Sequence, residues 1–159
     1  MKSLLLFMAI GMGLVSCQKT TADPNATPKA IEAPFDQDFT LHYRQQAFLT
    51  SAQQPELTLR VAELDCSFCP EGVTCFAPSM AWPSLDVTDA QGQTRRVKLP
   101  ANRVREYTPA WLDTTSVVAN GRRYLLTYAG WSVTRKLAVR EMPHRADFAL
   151  RFRVAKTNR

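Results

Sequence analysis

The chain has 159 residues, of which 45% are hydrophobic, and a formal net charge of +6. About 120 residues remain after the N-terminal segments described below, which is enough for one domain with a hydrophobic core. No apolar run is long enough to span a bilayer as a helix, so we expect a chain that does not cross the membrane.

The first residues are typical of an export signal. Lys2 gives a positive start, an apolar run of twelve residues covers positions 4–15, and the sequence LVSC ends at Cys17. The run is too short to span a bilayer but suits the core of a signal peptide. A small residue directly before a cysteine resembles the bacterial lipobox, in which the cysteine is diacylglycerated and the chain is cut before it. The alternatives are an ordinary signal peptide that contains a cysteine, or an uncleaved anchor.

The lipobox resemblance implies a signal peptide over residues 1–16 and a mature chain that starts with a lipidated Cys17. Two or three acyl chains anchor a protein stably, so the membrane is its first partner. Residues 17–37 are polar and rich in Pro, Thr and Ala, with prolines that oppose helix at positions 24, 28 and 34. We therefore expect a flexible tether over 17–37 and a folded domain over 38–159.

The domain sequence shows strand-like alternation throughout. The strand candidates, in chain order, are FTLHY, LTLRV, SLDVT, RRVKL, TSVVA, RRYLLTYAGWSV, KLAV and DFALRFRVAK. The polar DAQGQ segment predicts one hairpin, and Asn120-Gly121 predicts a second because this pair favours the positive φ angles of a type I′ turn. Seven or eight short strands without a long amphipathic helix indicate an all-β fold: an antiparallel β-sandwich of Ig-like or Greek-key type, or a partly open barrel.

Three cysteines, Cys66, Cys69 and Cys75, fall within ten residues after a predicted strand. A metal site would need a second ligand pair, which the sequence lacks, and a thioredoxin-like pair would need a βαβ context, which is not indicated. A structural disulfide suits an oxidising envelope. Closing either the Cys69–Cys75 or the Cys66–Cys75 loop is worth about 2–3 kcal/mol, so loop entropy does not choose between them.

The segment CSFCPEGVTCFAPSMA resembles one found in many small bacterial lipoproteins, common among Bacteroidetes, which carry DSRCPxGVxCxWAGxA after a strand. The matching positions are Cys69, Pro70, Gly72, Val73 and Cys75. The resemblance implies a disulfide between Cys69 and Cys75 in a β-rich domain. It leaves the third cysteine, at position 66, as an unpaired or alternative thiol. This chain departs from the pattern at position 66, at position 68 and at the lost Trp-Ala-Gly, and the resemblance brings no reaction with it.

Four aromatic residues form a possible ligand surface, although core packing of a sandwich also consumes large rings. They are Trp82, Trp111, Tyr128 and Trp131. Residues 17–94 carry four basic against ten acidic side chains, and residues 95–159 carry fifteen against four. A basic half suits anionic lipid or acidic glycan, and export argues against a nucleic-acid partner.

The sequence therefore predicts a lipid-anchored lipoprotein of the cell envelope, on the outer rather than the inner membrane. Its domain would bind a partner or play a structural part, with no catalytic residues, cofactor or metal. One alternative is a binding module for an acidic glycan or a protein that uses exposed aromatic residues and arginines. A second is a thiol-redox or metal-binding protein that uses the cysteines.

Overall fold

The computed structural model describes residues 26–99 and 113–157. Its strands and one short 3₁₀ turn are, in chain order, β1 (Ile31–Ala33), β2 (Asp38–His42), β3 (Gln46–Leu49), β4 (Leu57–Ser67), β5 (Met80–Asp89), β6 (Thr94–Lys98), β7 (Asp113–Ala119), β8 (Arg122–Val133), the 3₁₀ turn (Arg145–Asp147) and β9 (Phe148–Lys156).

The strands form two sheets. One has the order β1-β3-β4-β5-β6 and the other has the order β2-β9-β8-β7. The β1–β3 pair is parallel, and every other neighbouring pair is antiparallel. The predicted all-β sandwich is confirmed, with nine strands in the described residues. Within those residues, no helix has the length and apolar character that crossing a bilayer requires.

Side-chain alternation builds the core between the sheets. Leu57, Leu59 and Val61 of β4 are buried, whereas Arg60 is exposed. The other sheet contributes its own alternating set from β8 and β9, and residues of both sheets line one narrow interior gap: Leu57, Leu59, Val87, Val117, Tyr124, Leu126 and Val154. The two sheets therefore share one hydrophobic core.

Two β-bulges change which side chains face the core. The β4–β5 register shifts between Val61 and Glu63, and the β8–β9 register shifts between Tyr128 and Gly130. One extra residue in a strand reverses the inward and outward alternation beyond it. Residues at the far ends of β4 and β8 consequently face opposite to the sequence alternation at the start of each strand.

The Asn120-Gly121 hairpin is confirmed. Both residues have positive φ, 50° and 67°, and Ala119 pairs with Arg122 across a two-residue loop. The DAQGQ segment also closes a hairpin, since Thr88 pairs with Thr94. Both turns follow from residues that tolerate positive φ at low cost.

Two expectations from the sequence are corrected, and one strand was missed. Residues 17–37 were predicted as a tether, but β1 (Ile31–Ala33) lies within this range and pairs with β3. The strand β3 was not predicted, because four residues give little alternation to detect. The KLAV segment, residues 136–139, is not a strand. The carboxylate of Glu141 accepts a hydrogen bond from the backbone N–H of Ala138 at 2.7 Å, so the local hydrogen bonding closes a loop instead.

Glu56 joins the two sheets at the end of the sandwich that carries the Asn120-Gly121 hairpin. Its carboxylate accepts hydrogen bonds from the Tyr124 hydroxyl at 2.7 Å and from Lys156 Nζ at 2.6 Å. Partial burial acts to raise the pKa of Glu56, but these hydrogen bonds and the charges of Lys156 and Arg122 bring it below its usual value. We call the end of the sandwich that carries Glu56 and the Asn120-Gly121 hairpin the hairpin end.

Candidate functional site

The opposite end of the sandwich carries two facing loops. Residues 68–79 connect β4 to β5 and form the disulfide loop, and residues 134–147 connect β8 to β9 and form the ion-paired loop. We call the surface made by these two loops the loop end. Its side chains are the candidate functional site because a groove lined by residues of both loops lies between them.

A disulfide between Cys69 and Cys75, with Cα atoms 5.9 Å apart, closes the first loop. This confirms the pairing that the lipoprotein-like motif implies. The base of the loop is also held, since Ser67 Oγ donates to the carbonyl of Pro78 at 2.7 Å and the N–H of Cys69 donates to Ser79 Oγ at 2.9 Å. The tip, residues 71–78, is exposed throughout. The sequence thus presents a stapled loop whose apolar residues have no core to enter.

Arg135 organises the second loop. Its guanidinium contacts Glu141 at 2.6 Å and Asp147 at 2.9 Å. Asp147 also accepts from the N–H of His144, and its carbonyl accepts from the Thr134 hydroxyl. Hydrogen bonds from the Ala138 N–H and from Arg135 hold the pKa of Glu141 below its usual value. The loop therefore has a defined shape despite its lack of strand or helix.

A groove of about 420 Å³ separates the two loops. Phe68, Pro70 and Glu71 line one wall, and residues 135–139 with Glu141 line the other. The loops approach closely, because a Cβ placed on Gly72, which has φ +76°, would lie 4.0 Å from Cγ1 of Val139. The groove is open to solvent and mixes apolar with charged walls, so it suits a macromolecular or lipid surface better than a small buried ligand.

Large apolar side chains are exposed on the loops that border this groove. Phe76 is fully exposed, and the exposed fractions of the others are 43% for Val73, 54% for Met142 and 74% for Val139. Single exposed apolar residues are ordinary, but four on two adjoining loops concentrate exposed apolar surface at one end of the sandwich, as interaction sites do. We call these four residues the apolar patch. Two exposed basic residues, Lys136 and Arg140, are on the same loop as Val139.

Cys66 lies behind the loop end as the free cysteine of the described residues. The bulge in β4 gives it the same orientation as the buried Leu64, and it packs partly against the core. Burial raises the pKa of the Cys66 thiol, and the nearby Arg145 offsets only part of this effect. A raised pKa leaves little thiolate at neutral pH, which is unfavourable for a redox nucleophile.

Among the described residues, the members of the predicted aromatic surface do not share one exposed face. Tyr128 is fully buried, and its hydroxyl donates to the carbonyl of Ala81 at 2.7 Å, so its assignment to a ligand surface was wrong. Trp131 is half-buried against Phe148, with ring centroids 5.5 Å apart, because the bulge at Gly130 turns it toward the core. Trp82 is exposed on β5.

Two further predicted residues, Trp111 and the lipidation site Cys17, lie outside the described residues. The described ranges contain no group of three or more His, Cys, Asp or Glu side chains that could hold a metal ion. The two cysteines of the CSFC pair are also separated in role, since Cys69 is in the disulfide and Cys66 is not.

Comparison with known proteins gives no assignment for this site. No family model, no curated protein and no solved structure matches the chain.

The residues that define the loop end were not predicted as functional from the sequence. Phe76, Val139 and Met142 carry no motif, and the KLAV segment was assigned to a strand. One signal was present in the sequence: Phe76 and Val73 lie in a stretch with Pro70, Gly72 and Pro78, where strand pairing is broken and an apolar side chain has no sheet to pack on.

Proposed function

We propose that this protein is a lipid-anchored lipoprotein of a bacterial cell envelope whose sandwich domain acts by non-catalytic binding at the loop end. The observation that carries the binding role is the exposed apolar patch beside a groove, on two loops that a disulfide and an ion-pair network hold in shape. Preorganised loops lose less conformational entropy when they bind, so this arrangement favours recognition.

The lipobox-like sequence that ends at Cys17 supports the anchor. Ile31 lies fourteen residues after Cys17, so the chain between them spans at most about 50 Å and an acylated Cys17 keeps the domain close to the membrane. The assignment to the outer membrane rather than the inner one stays a prediction, which membrane fractionation of the native host would test.

Fatty-acid labelling in cells tests the anchor. Cells that express the full chain are grown with an alkyne-bearing fatty acid, and the protein is isolated and coupled to a fluorophore. We expect label on the wild type and on the matched cysteine variant Cys66→Ala, and none on Cys17→Ala. Label that persists on Cys17→Ala, or none on the wild type, would contradict the proposal.

Site-specific photocrosslinking tests the binding surface. A benzophenone side chain is introduced at position 76, in the disulfide loop, and in a separate protein at position 118. Val118 is a matched control because it is 48% exposed on β7, away from the loop end. We expect a discrete adduct from position 76 that position 118 does not give. Equal crosslinking at the two positions would remove the evidence for a binding site.

A further inference from the structure

The direction of β1 relates the N-terminal segment to the loop end. β4 runs from Leu57 at the hairpin end to Ser67 at the loop end, β3 runs antiparallel to it, and β1 runs parallel to β3. β1 therefore runs toward the hairpin end. The chain that precedes Ile31 therefore points toward the loop end, and Gln45 Nε2, which is level with Val61 near the middle of β4, donates to the carbonyl of Lys29 at 2.8 Å.

The chemistry of the loop end matches a membrane surface. Phe76 and Val73 project from one loop, and Val139 projects from the other between the basic residues Lys136 and Arg140. The latter two form no ion pair with another described residue. Both acidic residues of that loop are already engaged by Arg135. Exposed apolar side chains next to uncompensated basic ones are the combination that binds the interface of an anionic bilayer.

From these observations we infer that the loop end rests on the membrane itself, with the apolar side chains of both loops inserted among anionic lipid headgroups. This inference rests on the proposed lipid anchor, which would hold the domain beside that membrane. A bilayer is favoured over a protein because the tether keeps the domain within about 50 Å of the membrane, the chain enters β1 from the direction of the loop end, and the exposed Lys136 and Arg140 complement anionic headgroups. The fold then adds a second membrane contact to the acyl chains.

Vesicle binding of the unlipidated protein tests the inference. The mature chain from position 17, with Cys17→Ser, is exported through a cleavable signal and purified with its disulfide intact. Its partitioning is measured by flotation with vesicles of phosphatidylcholine alone and with vesicles that contain phosphatidylcholine and phosphatidylglycerol in equal parts. We expect partitioning that is at least fivefold stronger with the anionic lipid, since each basic residue near such a surface contributes roughly a factor of five.

Two variants locate the contact. Phe76→Ser is expected to weaken partitioning about tenfold, because a buried phenylalanine is worth at least that much. Arg140→Glu is expected to weaken it selectively for anionic vesicles. The matched controls are Val118→Ser and Arg95→Glu, which change an exposed apolar and an exposed basic residue away from the loop end, and both are expected to bind like the parent. Circular dichroism of each variant confirms that it is folded.

The outcomes separate this inference from the proposed function. Absent vesicle binding, or variants that behave like their controls, overturns the membrane contact. The same holds if the crosslinker at position 76 labels a protein in cells and no lipid. The acyl anchor is judged independently, because fatty-acid labelling of Cys17 does not depend on the loop end and the vesicle assay contains no acyl chain on the protein.

Discussion

The hydrogen bond between the Tyr128 hydroxyl and the carbonyl of Ala81 joins the two sheets in the middle of the core, and its removal is the sharpest test of the packing. Tyr128 is fully buried, and its hydroxyl lies 2.7 Å from that carbonyl oxygen. Tyr128→Phe deletes one oxygen atom and keeps the ring against Phe152, whose centroid is 5.2 Å away. A buried hydrogen bond of this kind contributes about 1.5 kcal/mol to the free energy of unfolding, because its loss leaves the carbonyl oxygen of Ala81 buried with neither this donor nor water as a partner.

The expected change in melting temperature follows from the size of the domain. For roughly 120 ordered residues the entropy of unfolding is about 250 cal/mol/K, so a loss of 1.5 kcal/mol lowers Tm by about 6 °C. The measurement is differential scanning calorimetry of the wild type and the variant at neutral pH, supported by urea unfolding with an unchanged m-value.

Tyr43→Phe is the matched control for this experiment. Tyr43 is half-buried, and its hydroxyl makes no hydrogen bond to another described residue, so the same chemical change is expected to alter Tm by less than about 2 °C. The reasoning is refuted if the two variants shift Tm equally, since the hydroxyl of Tyr128 would then contribute nothing beyond its ring.

Three other predictions concern the hairpin end and the disulfide loop. Glu56→Gln is expected to lower the free energy of unfolding by about 1 kcal/mol at pH 7 but much less at pH 3. The reason is that folding lowers the pKa of Glu56. Its contribution to stability is therefore present above about pH 4 and is lost as the pH falls through the folded-state pKa. Gly121→Ala is expected to cost about 1 kcal/mol in urea unfolding through its positive φ alone, since a Cβ there meets nothing within 4 Å. Replacing Cys69 and Cys75 together by Ser is expected to lower the free energy of unfolding by about 2 kcal/mol. This is the contribution expected from a disulfide that restricts the unfolded chain by closing so short a loop.

Matched variants separate these causes. Glu63→Gln alters an exposed carboxylate, paired to Arg96 on the outer surface, and should lower the free energy of unfolding at pH 7 by less than Glu56→Gln does, because exposed ion pairs contribute little. Gly121→Asn keeps a residue that tolerates positive φ and should cost less than Gly121→Ala. Cys66→Ser changes the free cysteine and should leave the disulfide-dependent stability in place. Any control that matches its test variant contradicts the mechanism given for that variant.

Much of the fold could be predicted because local sequence patterns indicate many of its strands and turns. The alternation of Phe148, Leu150, Phe152 and Val154 predicted β9, and Asn120-Gly121 predicted its hairpin. Each signal lies within one strand or one turn. The strand β1 could not be predicted in this way, because three residues in a proline-rich stretch become a strand only through pairing with β3.

The orientation of side chains beyond a bulge was the main obstacle at the candidate site. Tyr124, Leu126 and Tyr128 share one parity, so the burial of Tyr128 was available from the alternation. The bulge before Gly130 reverses that parity and turns Trp131 inward. A bulge depends on the partner strand, so the sequence of β8 alone does not determine it.

The short parallel strand β1 also decides how the domain responds to mechanical load. A force on the N-terminal segment directed toward the loop end pulls β1 along its own axis, so the hydrogen bond from Gln45 to the carbonyl of Lys29 and the hydrogen bonds of three paired residues bear it in shear. The next restraints are the stacking of Phe35 on Tyr124 and the bond from the Asp36 N–H to the carbonyl of Val154. Release of residues 31–36 lengthens the N-terminal tether by about 20 Å and leaves the other eight described strands in place. Under such a force, β1 therefore detaches before the hydrophobic core between the two sheets is disrupted.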